Sequence, residues 1–190
     1  MKLPILAYGD PILKKVAEEI TTEYPNLDIL IDNMFITMYA ANGVGLAAPQ
    51  IGLPIRLFVI DATPFYDEES LRPDGLKKVF INAKIIDENG NKWTFNEGCL
   101  SIPDVREDVS RHQDILISYY DENWNLHKDH FSGLMARVIQ HEYDHIEGKL
   151  FTDRINPLRK TMLRGKLDSI SKGIVKVDYK MRFPISKKKR

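Results

Sequence analysis

From Tyr24 to Ala41 the apolar residues Leu27, Leu30, Ile31, Met34, Phe35 and Met38 recur three or four apart, with Asp28, Asp32 and Asn33 between them. That period predicts an amphipathic helix lying on a core. Asn42-Gly43 supplies residues that accept the left-handed conformation at which such a helix stops. Gly43–Gln50 then reads as loop or irregular extended chain, and Pro54–Ala62, rich in β-formers, as a strand. Thr63–Lys78 holds Pro64, Pro73, Gly75 and several charges, the composition of a long surface insertion. A strand over Lys78–Ile86, a turn at Asp87-Glu88-Asn89-Gly90 and a return strand over Asn91–Phe95 form one expected hairpin. Asp114–Tyr120 and Trp124–Phe131, joined by Asp121-Glu122-Asn123, form a second.

Beyond Ser132, placed as an N-cap, the period returns to that of a helix, which ends at Gly148. Its inward face is Leu134, Val138, His141 and His145, so two imidazoles sit on a stripe that otherwise points into the core. Pro157 opens a third expected helix reaching about Lys172, with Leu158, Met162 and Leu167 as its sparse apolar side. Ile174–Phe183 alternates and reads as a final strand on the sheet.

With 190 residues, 43% of them hydrophobic, the chain is the size of one domain, and its 27 Lys and Arg balance 27 Asp and Glu. Balanced charge excludes a disordered chain and a body given over entirely to nucleic-acid binding. The balance conceals a split, because residues 154–190 carry 13 Lys and Arg against two Asp. The C-terminal segment is a basic appendage on an acidic body. A single cysteine, Cys99, rules out an internal disulfide framework. The first ten residues lack the apolar run and cleavage site of a signal peptide. Asn33–Ile55 is uncharged and long enough to span a bilayer, but its glycines and prolines would strand backbone groups in lipid. The expectation is a cytoplasmic protein with no membrane contact.

His141-Glu142-Tyr143-Asp144-His145 is an H-E-x-x-H sequence on a predicted helix. A spacing of four puts both imidazoles on one face, where they can share a metal ion, with Glu142 beside them to act on water. The same pattern also suits two satisfied, partly buried histidines with a surface Glu. In H-E-x-x-H proteases a third ligand follows downstream, but position 151 is Phe151 rather than His, and no Glu follows Glu147. Asp153, Asp168 and Asp178 remain as weaker ligands for that reading. The alternative is Cys99, whose thiolate with two imidazoles would leave a fourth position open, as a catalytic site requires. Alone, Cys99 reads equally as a small buried hydrophobe.

Three segments together resemble the signature motifs of the peptide deformylase family: Gly43-Val44-Gly45-Leu46-Ala47-Ala48-Pro49-Gln50, Glu97-Gly98-Cys99-Leu100-Ser101 and His141-Glu142-Tyr143-Asp144-His145. They stand in the family's order and spacing, and Tyr8-Gly9-Asp10-Pro11-Ile12-Leu13 resembles its N-terminal segment, so the likeness covers roughly residues 5 to 156. The resemblance implies an α+β fold, with antiparallel β-sheets packed around a central helix carrying the HExxH motif, a C-terminal helix and a final strand. It implies a catalytic domain over residues 1–172 and a basic extension over 173–190.

It also implies chemistry. Cys99, His141 and His145 would bind one divalent metal, Fe2+ in the family's native form, with Zn2+, Ni2+ or Co2+ as substitutes. Glu142 would be the general base that takes a proton from metal-activated water and returns it to the leaving amine, releasing formate from N-formylmethionyl peptides. The Gln50 side chain and the Leu100 backbone N–H would stabilise the oxyanion. Val44, Phe95, Val138 and the His141 ring would line a slot for the methionine side chain, Gly43 and Gly45 would let the backbone approach the ligand, with Gly45 pairing to its main chain like an added strand, and Gly98 would also contact substrate. Arg137 is expected at the rim of that slot with its guanidinium in water, and Glu97 behind the ligands, facing Arg106. The basic C-terminal segment over residues 154–190 is expected to contact ribosomal RNA, and the protein to be a monomer. A zinc endopeptidase and a protein with a purely structural metal are the competing readings.

Overall fold

The chain runs β1 (Ile5–Leu6), α1 (Leu27–Ala40), β2 (Gly45–Ala47), β3 (Leu57–Asp61), β4 (Lys77–Cys99), β5 (Ile102–Tyr120), β6 (Leu126–Ser132), α2 (Gly133–Ile146), α3 (Pro157–Ser171) and β7 (Met181–Arg182) in a computed structural model that describes residues 1–65 and 75–184. The strands β2 to β6 lie side by side in chain order as one antiparallel sheet, giving a mixed helix-and-sheet architecture.

Successive residues of a strand face opposite sides, and β3 uses both. Leu57 and Val59 pack with Leu27, Ile31, Met34 and Met38 of α1. Phe58 and Ile60 pack with Ala136, Val138, Ile139 and Ile146 of α2. The uninterrupted apolar run of β3 therefore comes from a strand covered on each face by one helix. A third cluster joins Leu6, Val105, Val109, Phe151, Leu167 and Ile170 beneath α3.

The structure moves several expected boundaries. Asn42, at φ 55°, takes the left-handed position after α1, and the Gly43 N–H donates to the Met38 carbonyl at 2.9 Å. Gly43–Gln50 is not plain loop: it contains β2, the edge of the sheet, and a 3-10 turn over Ala48–Ile51. Asp87–Gly90 is a bulge inside β4 rather than a hairpin turn. Asn89 still pairs with Asp114, and the register then jumps to Lys92 with His112, while Gly90 absorbs the extra residue at φ 73°. Residues 92–99 pair along the first half of β5, and the true turn is Leu100-Ser101. That half of β5 escaped the sequence reading because Glu107 and Arg111, both charged, occupy inward positions in its alternation.

Along α3 the expected apolar side is wrong for two of its three residues. Leu158 and Met162 are 70% and 66% exposed, whereas Leu167 and Ile170 are buried, because only the later turns of the helix lie on the body. The expected final strand shrinks to Met181–Arg182, which pairs in parallel with β1 in a separate two-stranded sheet. Its alternation nevertheless persists: Val175, Val177, Tyr179, Met181 and Phe183 are half-buried and Lys176, Asp178 and Lys180 exposed. The expected insertion opens with a short 3-10 turn at Thr63–Phe65, and its residues 66–74 lie outside the described residues. No helix among the described residues is long and apolar enough to cross a membrane.

Candidate active site

His141, Glu142 and His145 project from one side of α2, and the end of β4 carries Cys99 to meet them. The Cys99 Sγ lies 3.3 Å from His145 Nε2, and the ligand atoms of Cys99, His141 and His145 all fall within 4.8 Å of one another. Burial alone would raise the Cys99 thiol, but the charge of His145 and hydrogen bonds from both histidines bring it down to about 5. A thiolate with two imidazoles is a donor set suited to a divalent transition metal, so these residues fit such an ion. Asp153 instead pairs with Lys14 and Lys160, Asp168 with Lys172, and Asp178 is exposed, so the carboxylates of the protease reading are engaged or open to solvent.

The His141 ring is oriented from behind. Its Nδ1–H donates to Glu97 Oε2 at 3.0 Å, which turns Nε2 toward Cys99 and His145. Glu97 in turn accepts from Arg111 Nε and Nη2, at 2.7 and 2.9 Å, and from Arg137 Nη1 at 2.9 Å. Burial would push the Glu97 carboxyl up, yet the hydrogen bonds from Arg111 and His141 hold it well below the usual carboxylate range. Arg111 continues to Asp144 at 2.7 Å, and Arg154 closes the far side of Asp144. The sequence placed Glu97 behind the ligands but did not reveal buried Arg111 and Asp144, or exposed Arg154 at the end of this chain of ion pairs. Its one legible trace was a charged residue, Arg111, at an inward position of a strand.

Two expectations fail here. Arg137 is not at the rim: it is 2% exposed, donates to Glu97 and to the Val109 and Trp93 carbonyls, and stacks on the Trp93 indole at 4.5 Å. Its partners are backbone oxygens and a carboxylate fixed by the bend of β4 against β5, which no local pattern reveals. Arg106 does not face Glu97 either. It bonds to Asn96 and folds over Gly98, where a Cβ would lie 2.8 Å from its Nη1.

Gln50 is buried, with Oε1 accepting from the Ala47 N–H at 2.8 Å. That bond aims its Nε2 donor at Cys99 Sγ, 3.5 Å away, and at Ser101 Oγ, 3.3 Å away. Glu142 is buried, and its Oε2 has no hydrogen-bond partner among the described residues. Burial raises its carboxyl to about 7 against the opposing charges of His141 and His145.

Gln50, Glu97, Cys99, His141 and Glu142 open onto one cavity of about 580 Å³. Val44 and Gly45 come to it from the β2 edge, Phe95, Gly98 and Leu100 from the end of β4, and Arg137 and Val138 from α2. The wall also includes Lys176, Val177, Asp178 and Tyr179, a contribution from the C-terminal segment that the sequence reading did not foresee.

The sequence model of the family described as Polypeptide deformylase matches residues 2–161. The chain is 60% identical to a peptide deformylase of Christiangramia forsetii over the full length of both. It is 43% identical to one of Salinibacter ruber, over 94% of this chain and 93% of that one. Among solved structures, a peptide deformylase from Legionella pneumophila superposes with a TM-score of 0.78 at 39% identity, covering 89% of this chain and 95% of its own. One from Thermotoga maritima does so with a TM-score of 0.73 at 36% identity, covering 83% and 99%.

Proposed function

The chain belongs to the polypeptide deformylase family and removes the N-formyl group from newly synthesised peptides, and we propose how its own side chains do so. Glu142 carries the reading: a buried carboxylate with a partnerless oxygen, facing the cavity beside Cys99, His141 and His145. Those three residues would hold a divalent metal, which when bound acts as a Lewis acid toward water and the formyl carbonyl. Glu142 accepts a proton from the attacking water and delivers it to the nitrogen of the breaking C–N bond, so that formate and a free amine leave. The Gln50 amide and the Leu100 N–H donate to the oxygen that gains negative charge. Glu97 holds the His141 ring, with Arg111 and Arg137 fixing Glu97 in turn.

Val44, Phe95, Val138 and the His141 ring form the apolar slot for the methionine side chain, between the β2 edge and α2. Gly43 and Gly45 let the backbone lie close to the substrate, with Gly45 pairing to its main chain as an added strand would. We read the native ion as Fe2+, with Zn2+, Ni2+ or Co2+ as substitutes, and the protein as a cytoplasmic monomer. We read residues 1–172 as the catalytic domain and 173–190 as a basic extension whose Lys176–Tyr179 stretch completes the cavity wall. The zinc endopeptidase reading is not favoured, since the third ligand beside the histidines is Cys99.

The test is formate release from formyl-Met-Ala-Ser, with metal content measured on wild type and Glu142→Ala. Turnover should fall by about a hundredfold or more in the variant with its metal retained. No release from metal-loaded wild type would overturn the reading.

A further inference from the structure

The family match ends at residue 161, but the chain continues past the cavity. Between residues 175 and 183 every second side chain turns inward, and two of these, Val177 and Tyr179, line the cavity beside Leu100. The Tyr179 hydroxyl donates to the Leu100 carbonyl at 2.8 Å. The other carbonyl of the same tight turn, that of Ser101, accepts from the Tyr8 N–H at 2.8 Å. These two clamps are themselves joined, because β1 and β7 pair: Ile5 N–H donates to the Lys180 carbonyl and Ala7 N–H to that of Arg182, both at 2.9 Å. The Leu100-Ser101 turn is therefore gripped from both sides by a unit made of the paired β1 and β7 segments.

The turn is also held by Gln50, whose Nε2 donates to Ser101 Oγ at 3.3 Å. Cys99 pairs across to Ile102, leaving Leu100 and Ser101 outside the ladder. With Cys99 fixed on one side and the Leu100 carbonyl on the other, the intervening Leu100 N–H cannot swing. Burial, with the negative charge of Cys99 and Asp104, raises the Tyr179 phenol, so it stays a donor at any working pH.

We propose that Tyr179 is a positioning residue for deformylation, its hydroxyl holding the Leu100 amide in place through the Leu100 carbonyl. The proposal rests on the reading of Leu100 and Gln50 as oxyanion donors. It makes the C-terminal strap, outside the family match, part of the working site.

The experiment compares full-length wild type, Tyr179→Phe and Gln50→Leu, each loaded with metal, on formyl-Met-Ala-Ser. Tyr179→Phe keeps the ring and its packing and removes only the hydroxyl. Its kcat should fall by about tenfold to a hundredfold, the scale of a slightly misplaced group, while KM, metal content and melting temperature stay at wild-type values. A kcat within twofold of wild type, with Gln50→Leu impaired, overturns the role of Tyr179 alone. If neither variant loses kcat, the oxyanion reading falls and takes this proposal with it. A loss of activity matched by a loss of metal or of melting temperature assigns Tyr179 to packing and overturns the proposal as well.

Discussion

Gly45 on the edge strand β2 faces the Glu142 side chain so closely that a Cβ at Gly45 would lie 2.7 Å from Glu142 Cγ and Cδ. The carboxylate of α2 thus occupies the space that a side chain on β2 would need. Gly45→Ala should push Glu142 into the cavity and lower kcat by about a hundredfold, with metal content unchanged and the fold intact. Formate release and metal analysis on the same sample check this. Wild-type turnover in the variant would show that Glu142 has room to retreat.

Arg111 joins the carboxylate behind His141 to Asp144, with all three groups buried. Arg111→Met removes the shared cation and leaves each carboxylate short of a partner, although Arg137 still serves Glu97 and Arg154 still serves Asp144. Urea unfolding should show a loss of about 3 to 5 kcal/mol, the scale for breaking a buried pair from one side. Metal affinity should fall by about tenfold or more as His141 loses its fixed orientation.

Asp153 ties Lys14 of the N-terminal segment to Lys160 of α3 and caps the Leu150 N–H at 3.0 Å. Burial would raise its carboxyl, but the hydrogen bonds from Lys14, Lys160 and the backbone lower it to about 2. The unfolded chain therefore binds the proton more readily, so this stabilisation is complete above the ordinary carboxylate range and disappears as pH falls toward 2. Both lysine side chains are nearly half exposed, so solvent screens the pairs and Asp153→Asn should cost about 1 kcal/mol at pH 7. The gap between wild type and variant, read from urea unfolding at pH 6, 4 and 3, should narrow toward the lowest pH. A constant gap would assign the effect to something other than the charge.

The basic residues of α3 offer a separable test of ribosome contact. Charge reversal at Arg164 and Lys172 leaves β7 and Tyr179 in place, which deletion of the extension would not. If about three phosphates are contacted, wild-type binding in ribosome pelleting should weaken by about twentyfold between 50 and 200 mM salt. The double variant should pellet less at low salt and show a shallower salt dependence, with tripeptide turnover unchanged. Equal pelleting by both proteins would count against the contact.

Local pattern determined much of this protein. The three-and-four spacing of α1, the β-rich run of β3, the β5–β6 hairpin and the one-turn spacing of His141 and His145 are written in neighbouring residues, and the structure keeps them. The three motifs likewise carried the family, because the chemistry demands particular residue types at particular spacings. Pairing between distant segments was decided only by the tertiary structure. It made Asp87–Gly90 a bulge, because residues 85–98 had a longer partner in β5 than in themselves. It buried Arg137 and Arg111, since carboxylates and carbonyls from other elements of the fold surround them and compensate charges that composition alone would send to solvent. It brought Tyr179 to Leu100 across 79 positions of chain, through the parallel pairing of β1 with β7. A side chain's spacing along the chain follows from its neighbours, but whether its charge can be buried depends on partners that only the closed fold supplies.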